Sequence, residues 1–127
     1  MGVFAFYPNK QITTGEGGLI VTDDRHIYDM CRSLRNQGRS PEGNDWFGHN
    51  QLGYNYRISD INCALGLSQL YRFDEIIKRR QAIADYYYER LKSLSFITPP
   101  FCAPHVKLGW FVYVVQLTPE FKRNDRD

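Results

Sequence analysis

The sequence predicts a mixed α/β fold, and only part of one. Three observations carry that expectation: two short β-prone runs near the amino end, a long middle stretch with helical periodicity, and a third β-prone run, Trp110 to Leu117, followed only by a polar tail. The chain has 127 residues, the usual size of one domain.

Val3 to Tyr7 is apolar, aromatic and β-branched and reads as a buried strand, stopped by Pro8 because proline cannot donate to a ladder. Gly15-Glu16-Gly17-Gly18 then turns the chain into Leu19-Ile20-Val21-Thr22, a second strand. Asp23 and Asp24 are caps for a helix in which Ile27, Met30, Cys31 and Leu34 recur at helical spacing, up to Gly38 as C-cap. Residues 39–57 have no period and read as a long loop, a class that is uncommon unless functional. Ser59 caps a second helix carrying Ile61, Ala64, Leu65 and Leu67, with a break near Arg72-Phe73. A third, long helix is expected from about Asp74 to Leu94, with Ile76, Ile77, Ile83, Ala84, Tyr87, Leu91 and Leu94 toward the interior. Pro99-Pro100 and Pro104 mark an extended linker before the last strand.

That last strand wants neighbours that the following residues do not provide, and the first begins with no room before it for a parallel partner. The expectation is a piece from the middle of a longer protein, ending as a second domain begins.

The formal net charge is +2, and the densest basic cluster, Lys78-Arg79-Arg80, sits beside Asp74 and Glu75, so the chain carries no nucleic-acid footprint. Apolar runs fall short of the ~18 residues of a membrane helix, and the amino end lacks a signal-peptide pattern, which points to the cytoplasm and away from a membrane. Cys31, Cys63 and Cys102 are odd in number and far apart, which predicts core thiols in a reducing compartment. No second Cys/His pair completes Cys102-Ala-Pro-His105 into a metal site.

Lys10 lies between the first strand and the glycine turn. One reading is a nucleophile that forms an imine with an aldehyde, desolvated beside an apolar sheet; the other is an ordinary solvated lysine. A glycine-rich loop suggests phosphate, but the strong phosphate loops run from strand into helix, and this one runs into a β-prone segment, so a hairpin or strand connection is expected.

The stretches "FAFYPNKQITTGEGGLIVTDD", "LRNQGR" and "LGYNYRISDINCALGLSQL" resemble the DegT/DnrJ family of pyridoxal-phosphate (PLP) dependent sugar aminotransferases, in the fold-type I group, from about Val3 to Leu117. The resemblance implies a partial fold-type I α/β architecture. Residues 1–95 would be the C-terminal part of the large PLP-binding domain including the connecting helix, and 96–127 a linker and the start of the small domain.

By the same resemblance Lys10 matches the lysine that carries PLP as an imine and shuttles protons, and Asn55 matches an asparagine that reaches the PLP phosphate of the partner subunit. Tyr54, Tyr56 and Arg57 flank Asn55 and either shape the interface or sugar site or pack locally. The implied activity is transfer of an amino group, with glutamate as donor, onto a keto carbon of a nucleotide-linked sugar by a homodimer, in a pathway to a surface polysaccharide or a glycosylated metabolite. Relatives with histidine at the lysine position dehydrate instead, so Lys10 favours transamination.

Two departures limit this. Ala5 stands where many relatives have a serine that helps hold the phosphate, and the family's pyridinium-pairing aspartate and ring-stacking aromatic lie upstream of the matched region. A non-catalytic or truncated dimerisation module is therefore the alternative, and a protein binding phosphate through "GEGG" is a third.

Overall fold

A computed structural model describes residues 1–42 and 47–119. The loop expected over 39–57 and the domain start over 96–127 thus include residues 43–46 and 120–127, which lie outside the described residues. The described chain is mixed α/β, as expected, and divides into two compact units: Met1–Pro8 with Thr13–Ser68, and Asn9–Ile12 with the chain from Gln69 onward.

In the first unit, β1 (Gly2–Ala5) and β2 (Gly18–Val21) pair antiparallel, with Val3 opposite Ile20 and Phe4 opposite Leu19. The expected strand connection is therefore present. The first strand is shorter than expected and exposed rather than buried, Val3 at 71% and Phe4 at 54%, and β2 is exposed as well. A sheet is buried by what covers its faces, and among the described residues this ribbon has two strands and no third. Glycines at positive φ, Gly15 and Gly17, shape the turn before β2.

Helix α1 (Arg25–Arg35) starts at Asp24, whose carboxylate accepts from the amides of His26 and Ile27, as its residue type predicts. Its C-cap is Asn36 rather than Gly38. The left-handed step falls on Gln37 and Gly38 together, and the Gly38 amide closes the helix by donating to the Ser33 carbonyl at 2.9 Å.

Helix α2 (Asp60–Tyr71) is capped by the Ser59 hydroxyl, which accepts from the Asn62 amide at 3.2 Å. The Asn62 side chain donates to the Thr14 carbonyl at 2.9 Å, tying the glycine turn to α2.

In the second unit, α3 (Phe73–Leu91) begins after the expected break, at Arg72. Glu75 in its first turn is held between Arg72 and Arg79; the Arg72 hydrogen bond, with the Arg79 charge behind it, holds its carboxyl below the usual range. Ala84 is the buried residue of α3; Ile76, Ile77 and Leu91 are half-buried, while Ile83 and Tyr87 are exposed, against expectation.

The β-prone run also gives less strand than predicted. Only β4 (Gln116–Leu117) pairs, with β3 (Ile97–Thr98), and Trp110 sits at φ 44, outside extended backbone. Strand propensity expresses packing against a neighbouring strand, and Val112 to Val115 pair with none among the described residues. All three cysteines are free; Cys31 and Cys63 are half-buried, but Cys102 is exposed rather than a core residue.

Candidate functional site

Lys10 lies on an excursion that interrupts the ribbon. The Phe6 amide continues the ladder by donating to the Gly17 carbonyl at 2.9 Å. The Phe6 carbonyl then accepts from both the Thr14 amide at 3.0 Å and the Thr13 hydroxyl at 2.9 Å, so the intervening residues are pinched off as a loop. Pro8 leaves the ladder because it lacks a donor, and the chain bends through Lys10.

The side chain of Lys10 is half-buried, with its ammonium 4.1 Å from the centroid of the Phe111 ring. Among the described residues no carboxylate forms an ion pair with it. Its carbonyl accepts from Arg80 Nη2 at 2.8 Å, and Arg80 Nη1 donates to the Trp110 carbonyl at 2.9 Å.

The glycine turn runs from strand to strand, as expected, and not from strand into helix. It joins two antiparallel strands, and its groups bond one another: the Gly15 amide donates to the Thr13 hydroxyl at 2.8 Å, and the Thr14 hydroxyl to the Glu16 carbonyl at 2.7 Å.

Asn55 is presented by the end of α1. The last carbonyls of a helix have no partner within it, and here the loop supplies them: the Tyr54 amide donates to the Leu34 carbonyl at 2.7 Å and the Tyr56 amide to the Arg35 carbonyl at 2.9 Å. The Gln37 amide returns a bond to the Tyr54 carbonyl at 2.8 Å, and Asn36 and Asn55 form a β-bridge. Arg57 reaches back to the Asn36 side-chain oxygen at 2.8 Å.

The close approach needs glycine twice: a Cβ at Gly38 would stand 1.7 Å from the Gln51 carbonyl oxygen, and one at Gly53 2.1 Å from the Gly38 nitrogen. Tyr54 and Tyr56 stack on each other, ring centroids 5.0 Å apart, and both are exposed. Asn55 itself is exposed, and its side-chain amide makes no hydrogen bond among the described residues.

These residues fit PLP in two respects. An amine that must attack an aldehyde cannot be held in a salt bridge, and Lys10 is not; an amide that must donate to a phosphate outside its own loop must be unspent and exposed, and Asn55 is both. Lys10 and Asn55 belong to different units. Arg80, Trp110 and Phe111 are the residues that sequence reasoning missed. The available signal was that Arg80 is the charged residue on the α3 stripe of Ile76, Ile77 and Ala84.

A family model described as the DegT/DnrJ/EryC1/StrS aminotransferase family matches residues 1–127. The chain is 44% identical over 94 residues to GDP-perosamine synthase of Escherichia coli O157:H7, which covers 74% of this chain and 25% of that protein. PseC of Helicobacter pylori, an aminotransferase involved in the biosynthesis of pseudoaminic acid, superimposes with a TM-score of 0.84 at 30% identity, over 94% of this chain and 32% of that one. The Streptococcus pneumoniae protein Spr1654, solved in its PLP form, gives a TM-score of 0.77 at 27% identity, over 92% of this chain and 31% of that one. The chain thus spans about a quarter to a third of the length of the relatives it matches, and its fold is a part of the fold-type I architecture.

Proposed function

The chain belongs to the DegT/DnrJ/EryC1/StrS aminotransferase family, and from that premise we propose that the protein it forms transfers an amino group, donated by glutamate, onto a keto carbon of a nucleotide-linked sugar. The observation that carries this reading is Lys10: half-buried, in no ion pair among the described residues, and anchored through its own carbonyl. The names of the relatives, GDP-perosamine synthase among them, support a nucleotide-linked sugar as the acceptor.

PLP is the cofactor of this family, and when bound it supplies an electron-withdrawing ring that stabilises negative charge at the carbon losing its proton. In this reading the Lys10 amine holds the cofactor as nucleophile and moves a proton at the substrate carbon as base. The Asn55 amide donates to the cofactor phosphate held by a second copy of the chain, which makes the active protein a homodimer, and the cytoplasm is its compartment. Residues 1–95 are read as the end of the large domain with its connecting helix, and 96–127 as linker and start of the small domain.

The test is to incubate the full-length protein with PLP, reduce with borohydride and map the label by mass spectrometry, with Lys10→Ala as control. Label confined to Lys10 is expected; label spread over other lysines and unchanged in the control would refute the assignment.

A further inference from the structure

The backbone of Lys10 is hydrogen-bonded to a residue on α3. Arg80 is half-buried, and its two terminal nitrogens serve backbone carbonyls, those of Lys10 at 2.8 Å and Trp110 at 2.9 Å. The ion pairs along α3 are made by its neighbours, Arg72 and Arg79 with Glu75 and Lys92 with Glu89; none among the described residues uses Arg80. A planar fork with donors at fixed spacing can hold two carbonyls at once, which an ammonium cannot do in the same geometry.

The second carbonyl belongs to an unusual backbone. Trp110 takes φ 44, a left-handed conformation that is costly for a bulky residue. The indole is held as well, donating to Gln81 Oε1 at 2.7 Å and stacking on Tyr113 with centroids 5.4 Å apart. The next residue is Phe111, the ring under the Lys10 ammonium. One guanidinium therefore fixes both the backbone that carries the amine and the backbone that carries the ring it rests on.

We propose that Arg80 is a positioning residue for Lys10, fixing the backbone from which the amine, once it leaves the Phe111 face and loses its proton, forms the imine. This rests on the reading of Lys10 as the residue that binds PLP.

The test uses the full-length protein stripped of cofactor, to which PLP is added; borohydride quenches at timed intervals give the rate of label appearing at Lys10, and circular dichroism follows thermal unfolding. Displacement of a reacting group by about an ångström costs on the order of a hundredfold in rate, so Arg80→Met should slow labelling by about ten- to a hundredfold. Arg80→Lys is the discriminating variant: it keeps the charge and should restore the unfolding temperature, but with no fork it should not restore the labelling rate.

Labelling at the unsubstituted rate in Arg80→Lys or Arg80→Met overturns the proposal, and so does failure of both variants to fold, which would make the arginine a residue of the fold at large. Absence of label at Lys10 in the unsubstituted protein would instead overturn the proposed function, so the two failures are distinct.

Discussion

Gly38→Ala tests whether the end of α1 is the platform that holds Asn55. The new methyl would lie 1.7 Å from the Gln51 carbonyl oxygen, a backbone atom with no rotamer to escape into, and φ 75 would be imposed on an L-residue. If the loop backs away, the bonds from the Asn50 amide to the Gly38 carbonyl and from the Gln37 amide to the Tyr54 carbonyl, both 2.8 Å, are strained or lost. A left-handed alanine costs about 1–2 kcal/mol and each backbone bond about 0.5–1.5 kcal/mol, together about 2–5 kcal/mol against the closed loop. At about 1.4 kcal/mol per factor of ten, amide hydrogen exchange at Tyr54 and Tyr56 should accelerate by roughly thirtyfold to a few thousandfold.

Gly15→Ala is the control, because Gly15 also has positive φ, 81, but open space around its would-be Cβ. It should leave Tyr54 and Tyr56 unchanged. Exchange at those two amides within about twofold of the unsubstituted rate in Gly38→Ala would refute the platform, because the calculated cost lies well above that change.

Two further perturbations address the chemistry and the second unit. Asn55→Asp keeps the size of the side chain but turns a donor into an anion, so absorbance titration should show PLP affinity falling at least about tenfold while phosphate-free pyridoxal is unaffected; equal loss for both would remove Asn55 from the phosphate. Tyr113 buries its hydroxyl without a hydrogen-bond partner among the described residues, and burial, with the nearby Tyr88, pushes its phenol up. A raised folded pKa means that stability is intact below the unfolded value of ~10 and is lost as pH rises through the folded one. Tyr113→Phe should therefore flatten the alkaline fall in urea midpoint and cost nothing at neutral pH. A neutral-pH loss above about 1 kcal/mol would show that the hydroxyl has a partner after all.

What the sequence revealed was mostly local. Asp24, Ser59 and the break at Arg72 were legible because caps and helix interruptions act within a few residues. Lys10 stood out by position and Asn55 by resemblance. The C-cap was misplaced because Gln37 shares the left-handed step, and its amide bonds across to Tyr54, a partner far along the chain. The expected strand at Trp110 failed for a similar reason: apolar composition does not supply a neighbouring strand, and the positive φ of Trp110 is sustained by contacts with Arg80 and Gln81 that no local window contains. Arg80 was hidden in the basic run Lys78-Arg79-Arg80, in which Arg79 is a solvated ion-pair partner of Glu75.

The four-residue segment Asn9–Ile12 belongs to one compact unit while both of its flanks belong to the other. The lysine is thereby spliced into a body from which it is remote in the chain. No single cut can separate the two units with their contents intact, since the boundaries fall at Pro8, at Ile12 and again at Ser68 within α2. A recombination event between residues 13 and 68 would send Lys10 one way and Arg80, Trp110 and Phe111 the other, leaving the arginine fork with the Trp110 carbonyl but without that of this lysine. The segment and its clasp must be inherited together, so grafting this lysine loop into another member of the family calls for transplanting α3 as well.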